Sequence, residues 1–160
     1  MLKLISFLTV LFTTISQPVR SSEIWATPIP DFEERHFPNF VLPANKWGAG
    51  HRGSDLVVEK DQELTSPFEG EVHFVGKVVN RQILTLKSKS GLLASFEPFC
   101  SELSKGERVK INQPIGKQCE GDSSYEIHCE DCLHFSVRSE HGYLNPLLFV
   151  SGILPSVIVS

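Results

Sequence analysis

Two short stretches of this sequence carry side chains that suit a metal ion. In Gly50-His51-Arg52-Gly53-Ser54-Asp55-Leu56 an imidazole and a carboxylate stand four positions apart, and a turn at Gly53 would aim both at one point. Neutral imidazole and ionised carboxylate are both zinc ligands, so the pair is part of a site. Such a pair arises by chance in many chains and needs a further ligand from elsewhere. His128-Cys129-Glu130-Asp131-Cys132-Leu133-His134-Phe135-Ser136-Val137 can supply it. His134 lies in a predicted strand whose alternation puts Cys132 and Ser136 on its own face. A zinc ribbon requires two Cys-x-x-Cys knuckles and only one is present, so a closed structural zinc is not indicated.

The same stretch admits a second chemistry. A thiolate at Cys132 beside His128 or His134 is a nucleophile for acyl carbon. A disulfide between Cys129 and Cys132 removes that thiolate, and in an oxidising compartment the disulfide is expected. The four cysteines allow three pairings, of which Cys100 with Cys119 and Cys129 with Cys132 is the expected one. Arg52 suits either a clamp on a substrate carboxylate or a structural ion pair. His36, His73 and His141 have no motif around them and read as solvated or packing residues.

These side chains must be positioned by short strands. The chain has 160 residues, 41% hydrophobic and 21% charged, which suits one compact domain. Strands are expected at Asp55 to Val58, Gly70 to Val78, Gln82 to Ser88, Leu92 to Glu97, Arg108 to Lys110, Ile115 to Gln118 and Leu133 to Arg138, separated by turn signals such as Ser88-Lys89-Ser90-Gly91. Between residues 50 and 145 no window holds a helical stripe, so the domain is expected to be all-β, a small antiparallel β-sandwich. Ahead of it, residues 23 to 47 are dense in proline and aromatic rings, which opposes helix and interior strand. That stretch should form an extended arm laid over the domain by its rings. Asp61 to Val72 and Lys105 to Gly116 share a turn-strand grammar that resembles the barrel-sandwich hybrids of lipoyl-type carriers and some cell-wall peptidases. Neither copy presents the lysine that a carrier needs at a hairpin tip.

The ends and the charge bear on location and partners. Lys3, an apolar run from Leu4 to Ile15, and the small residues Ser21 and Ser22 follow the order of an export signal over residues 1 to 22. Its apolar middle is shorter than the roughly 20 residues of a spanning helix, so stable membrane insertion is not expected after cleavage. Residues 48 to 150 would then be the folded domain and 151 to 160 an apolar tail. Leu147 to Val159, broken by Gly152 and Pro155, reads as a final strand against the core. A formal net charge of -4 without a Lys/Arg stripe excludes non-specific nucleic-acid binding.

In their order along the chain, the motifs resemble the lysostaphin-type, or LytM-type, zinc metallopeptidases, which cut peptidoglycan. The resemblance runs from about residue 47 to 147. It begins with His51-Arg52-Gly53-Ser54-Asp55 for the family's His-x-x-x-Asp and Ser66-Pro67-Phe68-Glu69-Gly70-Glu71-Val72 for its Ala-Pro-x-x-Gly-x-Val. Gly91 to Pro98, Lys105-Gly106 and Gln113-Pro114-Ile115-Gly116 follow in place. Leu133-His134-Phe135 and Tyr143-Leu144-Asn145-Pro146 close the series. The resemblance implies an exported or envelope-associated zinc endopeptidase acting on peptidoglycan peptides. His51, Asp55 and His134 would be the zinc ligands, with the fourth position open to a water whose pKa falls toward about 7.

The sequence also departs from that family. A histidine usually stands two residues before the last ligand, where this chain has Cys132. Another usually stands three residues ahead of the Gly-x-x-Thr segment, where this chain has Ser88. Such imidazoles orient the water and stabilise the oxyanion, roles each worth about 10²–10³ in rate. An actinobacterial branch of the family carries Cys-Leu-His with a preceding His-Cys, as His128-Cys129 and Cys132-Leu133-His134 do here. That likeness implies His128 as the substitute catalytic base. The alternative it leaves open is a degenerate member that binds wall peptide or regulates a partner hydrolase.

Overall fold

The computed structural model describes residues 23–32, 34–37, 40–59, 61–119 and 132–150. Alternation of apolar and polar side chains builds its longest strands. In β10 (Cys132–Ser139) Leu133, Phe135 and Val137 are fully buried, while His134, Ser136 and Arg138 occupy the other face. β5 (Arg81–Ser88) buries Leu84 and Leu86, and β6 (Leu93–Glu97) buries Ala94 and Phe96. β4 (Gly70–Val78) contributes Val72 and is irregular between Val72 and Phe74. A strand with period-2 burial must sit in a sheet with one face on a core, and these four do.

The remaining elements complete two antiparallel sheets. The larger runs β1 (His36–Phe37), β2 (Ser54–Val57), β10, β6, β5, β4 and β8 (Arg108–Val109), and β11 (Gly142–Leu144) pairs with β10. The smaller one has β3 (Glu63–Thr65), β9 (Pro114–Gln118) and β7 (Phe99–Cys100) in the order β3-β9-β7. Leu64 and Ile115 from the small sheet meet Phe96, Leu84 and Phe135 from the large one in a single buried cluster. Phe96 stacks on Phe135 with centroids 5.1 Å apart and touches Phe99 at 5.6 Å. Each such ring removed from water contributes about 1.5–3 kcal/mol. The fold is therefore all-β, as the strand pattern implies.

The Cys100–Cys119 disulfide ties β7 to the residue after β9 across 19 positions. Closing a loop of that size stabilises by about 3 kcal/mol in the chain-entropy account. Cys132 is likewise disulfide-bonded. Cys129, the partner expected for it, lies outside the described residues.

Rings near the start of the described chain behave differently from one another. The Trp25 ring packs 4.5 Å from Phe68 and 4.6 Å from Phe149, and its backbone N–H donates to Phe149 O. Ala26 N–H donates to Pro67 O, and Pro28 O accepts from Thr65 N–H, so this segment is stitched to the domain by its backbone as well. Ile29 and Phe32 are also buried. Trp47, by contrast, is 86% exposed. Its loop folds on itself through Asn45, whose side chain accepts from Trp47 N–H and whose carbonyl accepts from Gly48 N–H.

One expectation for the chain end is corrected. Leu147 begins a helical turn, α1 (Leu147–Val150), and not a strand. Asn145 explains it: its side-chain oxygen accepts the Leu147 N–H, and Pro146 follows with the φ that a first helical turn needs. Phe149 and Val150 then point into the core. Residues 151 to 160 lie outside the described chain, and so does the export signal expected over 1 to 22. Among the described residues no helix is long and apolar enough to cross a membrane.

Trp25→Ala should lower the unfolding free energy by about 3–5 kcal/mol, the usual cost of emptying a buried aromatic site. Trp47→Ala should change it by less than about 0.5 kcal/mol. Urea denaturation of both variants, followed by fluorescence of the remaining tryptophan or by far-UV circular dichroism, checks the contrast.

Candidate metal centre

His51 sits just outside the large sheet and is held by a two-way bridge to Val41. Val41 N–H donates to His51 O at 2.8 Å, and His51 N–H donates to Val41 O at 2.9 Å. Gly50 makes that approach feasible, because a Cβ there would fall 2.6 Å from Val41 O. Asp55 lies on β2 directly opposite His134 on β10, and His134 is in turn opposite Glu97 on β6. One cross-strand row thus carries Asp55, His134 and Glu97.

Gly53 has a different part from the turn expected of it. A Cβ at this position would meet Phe135 O at 2.4 Å and the His134 ring at 2.6 Å. The absence of a side chain lets the β10 backbone and the His134 imidazole close over the chain just ahead of β2. Close approach, not turning, is what glycine provides here.

The three side chains meet at one point. His134 Nδ1 is 3.0 Å from Asp55 Oδ1, His51 Nε2 is 3.3 Å from the same oxygen, and the two nitrogens are 3.2 Å apart. All three side chains are 10–20% exposed, so the cluster is shielded on most sides and open on one. A single proton can bridge only one edge of such a triangle, whereas a cation answers all three lone pairs together. A tetrahedral zinc with ligands at about 2.0–2.1 Å separates them from one another by about 3.3 Å. The donor set and its spacing would suit that ion.

The open side is a groove of about 320 Å³ lined by His51, His134, Arg81, Glu97, Ser136 and Tyr143, with Arg52 at its edge. It continues into a second hollow of about 490 Å³ that shares Arg81, Glu97, Ser136 and Tyr143 and adds Arg138. Arg81 Nη1 donates to Glu97 Oε1 at 3.0 Å. Arg52 and Arg138 each lie about 6 Å from the Tyr143 ring centre, at 5.9 and 6.0 Å. Arg52 also donates to Lys46 O and Gly48 O, so backbone carbonyls fix it.

Other residues singled out in the sequence fall elsewhere. Ser88 is buried, donates to Glu23 Oε2 at 3.2 Å and meets Ser90 Oγ at 2.8 Å. It shares the core-facing side of β5 with Leu84 and Leu86, whereas the groove is met by Arg81, Ile83 and Thr85. Ser88 therefore does not stand where a group could orient the attacking water. Cys132, as a disulfide sulfur, has no thiolate to offer, which removes the Cys/His nucleophile. His128 lies outside the described residues. His73 lines the second hollow, and His141 is exposed beside Glu140.

Glu97, Arg81, Arg138 and Tyr143 are groove residues to which sequence reasoning assigned no role. The signal was present in part: His134, Ser136 and Arg138 alternate with the buried Leu133, Phe135 and Val137, so they must share one face.

Residues 49–146 match Peptidase family M23. This chain belongs to that family. A curated relative, the uncharacterized protein Rv2891 of Mycobacterium tuberculosis, is 29% identical over 121 residues, covering 73% of this chain and 46% of its own length. The M23 chain thus spans about half the length of the curated relatives it matches. Among solved structures, a chain of the SpoIIQ–SpoIIIAH pore-forming complex aligns over 81% of this chain and 92% of its own, with a TM-score of 0.63 and 23% identity. LytU aligns over 75% of this chain and 86% of its own, with a TM-score of 0.59 and 16% identity. Those two likenesses establish the shared fold.

Gly53→Ala should cost about 1–3 kcal/mol, because the strand carrying His134 must move away to admit a methyl group. Guanidinium denaturation measures the loss. A midpoint equal to that of the unsubstituted chain would contradict the close approach.

Proposed function

We propose that this M23 domain is a zinc-dependent endopeptidase that hydrolyses peptide bonds of peptidoglycan, exported to the cell envelope or beyond it. The observation that carries the reading is the triangle of His51 Nε2, Asp55 Oδ1 and His134 Nδ1, with edges of 3.0–3.3 Å at the head of an open groove. His51, Asp55 and His134 hold the ion. Zinc in such a site supplies Lewis acidity for the scissile carbonyl and a nucleophile at neutral pH. Asp55 offsets part of the ion's charge, and its neighbour across the strands, His134, is kept in register by ladder bonds on both sides. Ser136 and Tyr143 line the groove with hydroxyls suited to a peptide backbone. His128 is the proposed base, taking the proton from the attacking water and returning it to the leaving amine.

A second reading has its own support. Cys132, two residues before His134, is a disulfide sulfur where the resembling peptidases carry an imidazole, and a chain of the SpoIIQ–SpoIIIAH complex shares the fold. On that reading the domain binds wall peptide or a partner protein without cutting.

Purified protein should retain about one zinc per chain by elemental analysis, and His51→Ala or Asp55→Ala should abolish that retention. Zymograms of purified wall material should clear, and a chelator should stop the clearing. Clearing lost with retained zinc in His128→Ala, by about 10²-fold or more, fits the proposed base. Zinc retention without any clearing selects the binding-only reading, and no zinc at all overturns both the ion and the hydrolysis.

A further inference from the structure

We propose that the groove recognises an anionic peptide, seating a substrate carboxylate between Arg52 and Arg138 a few residues away from the bond at the metal centre. The inference rests on the reading of this groove as the substrate channel and names the substrate class it takes.

Charge makes the case first. The chain as a whole is acidic, with a formal charge of -4, yet the charged side chains lining the two joined hollows are Arg52, Arg81, Arg138 and Glu97, with metal-facing imidazoles at one end. Glu97 is engaged by Arg81 at 3.0 Å, which leaves the charges of Arg52 and Arg138 without an acidic partner among the lining residues. The two guanidiniums lie about the Tyr143 ring at 5.9 and 6.0 Å from its centre. Ring contact and the bonds from Arg52 to Lys46 O and Gly48 O prepay part of the ordering that a flexible cation would owe on binding. Arg52 Nη2 is taken up by those carbonyls, so Arg52 offers a carboxylate its charge and single N–H groups, while the planar fork of Arg138 matches a carboxylate's two oxygens.

Geometry makes the case second. His134, Ser136 and Arg138 project from one face of β10, so at a rise of about 3.3 Å per residue the Arg138 backbone stands about 13 Å along the strand from that of His134. An extended peptide covers that distance in about four residues. Between the two ends Ser136 and Ser95 are cross-strand partners and Ser95 Oγ is 2.9 Å from Thr85 Oγ1, with Phe74, Val78 and Ile83 lining the same hollow. A cationic far end favours a peptide carrying negative charge over a neutral one.

Binding tests this without requiring cleavage. Fluorescein-labelled hexapeptides of one sequence would be compared by polarisation on the full chain with added zinc and again with chelator. They would carry a side-chain carboxylate, a C-terminal carboxylate, both groups amidated, or a lysine in place of the acid. An acidic peptide should bind about tenfold or more tightly than its amide, a difference of about 1.4 kcal/mol. The two acid forms identify which carboxylate is read. Arg138→Gln and Arg52→Gln should each shrink that preference several-fold while zinc stoichiometry stays unchanged. Equal affinity for acid and amide, or a preference that survives both substitutions, overturns the proposal. Failure of the endopeptidase reading would show separately, as absent zinc or absent clearing.

Discussion

Asp55 and His134 face each other across β2 and β10, and the site hangs on that single cross-strand register. Side chains in a sheet alternate, so a slip of one residue would turn His134 into the core and bring Leu133 or Phe135 to the ligand face. The register is protected by the core itself, since Leu133, Phe135 and Val137 are fully buried on the opposite side. Hydrophobic burial thereby fixes the position of a polar constellation without touching it. Gly53 adds the second condition, a backbone bare enough for the imidazole to lie against it. The third member of the cluster is looser in origin, since His51 is placed by a bridge to Val41 outside the ladder of named strands.

Much of this was legible before any coordinates. The longer strands announce themselves because five or more alternating residues leave a clear pattern: β4 spans Gly70–Val78 as expected, and β5, β6, β9 and β10 differ by a residue or so at their ends. β1, β3, β7 and β11 were missed because two or three residues cannot display a period. They owe their existence to partners already in place, such as β9 for β3 and β7. α1 was misread for a related reason. Its apolar run looks like a strand, and the Asn145-Pro146 start signal that decides the matter is local hydrogen-bond chemistry, not hydrophobicity.

The clustering of His51, Asp55 and His134 was readable because spacing and residue type together are restrictive. Its surroundings were not. Arg81, Glu97, Arg138 and Tyr143 come from four strands, and only the pairing of β5, β6, β10 and β11 gathers them at one groove. The same parity rule removes Ser88 from consideration, since a position that shares a face with Leu84 and Leu86 belongs to the interior. A motif comparison aligns letters along one dimension, while the sheet decides which side of the molecule each letter reaches.

The separation of the ligands along the chain has a consequence for timing. Asp55 and His134 are 79 residues apart, so no fragment emerging from a ribosome holds all three side chains until β10 itself has emerged. Non-local pairings of this kind are also the slow ones to form. Any ion captured by His51 and Asp55 alone would be bound by two ligands and readily lost. The three side chains therefore come together only as one of the last events of folding.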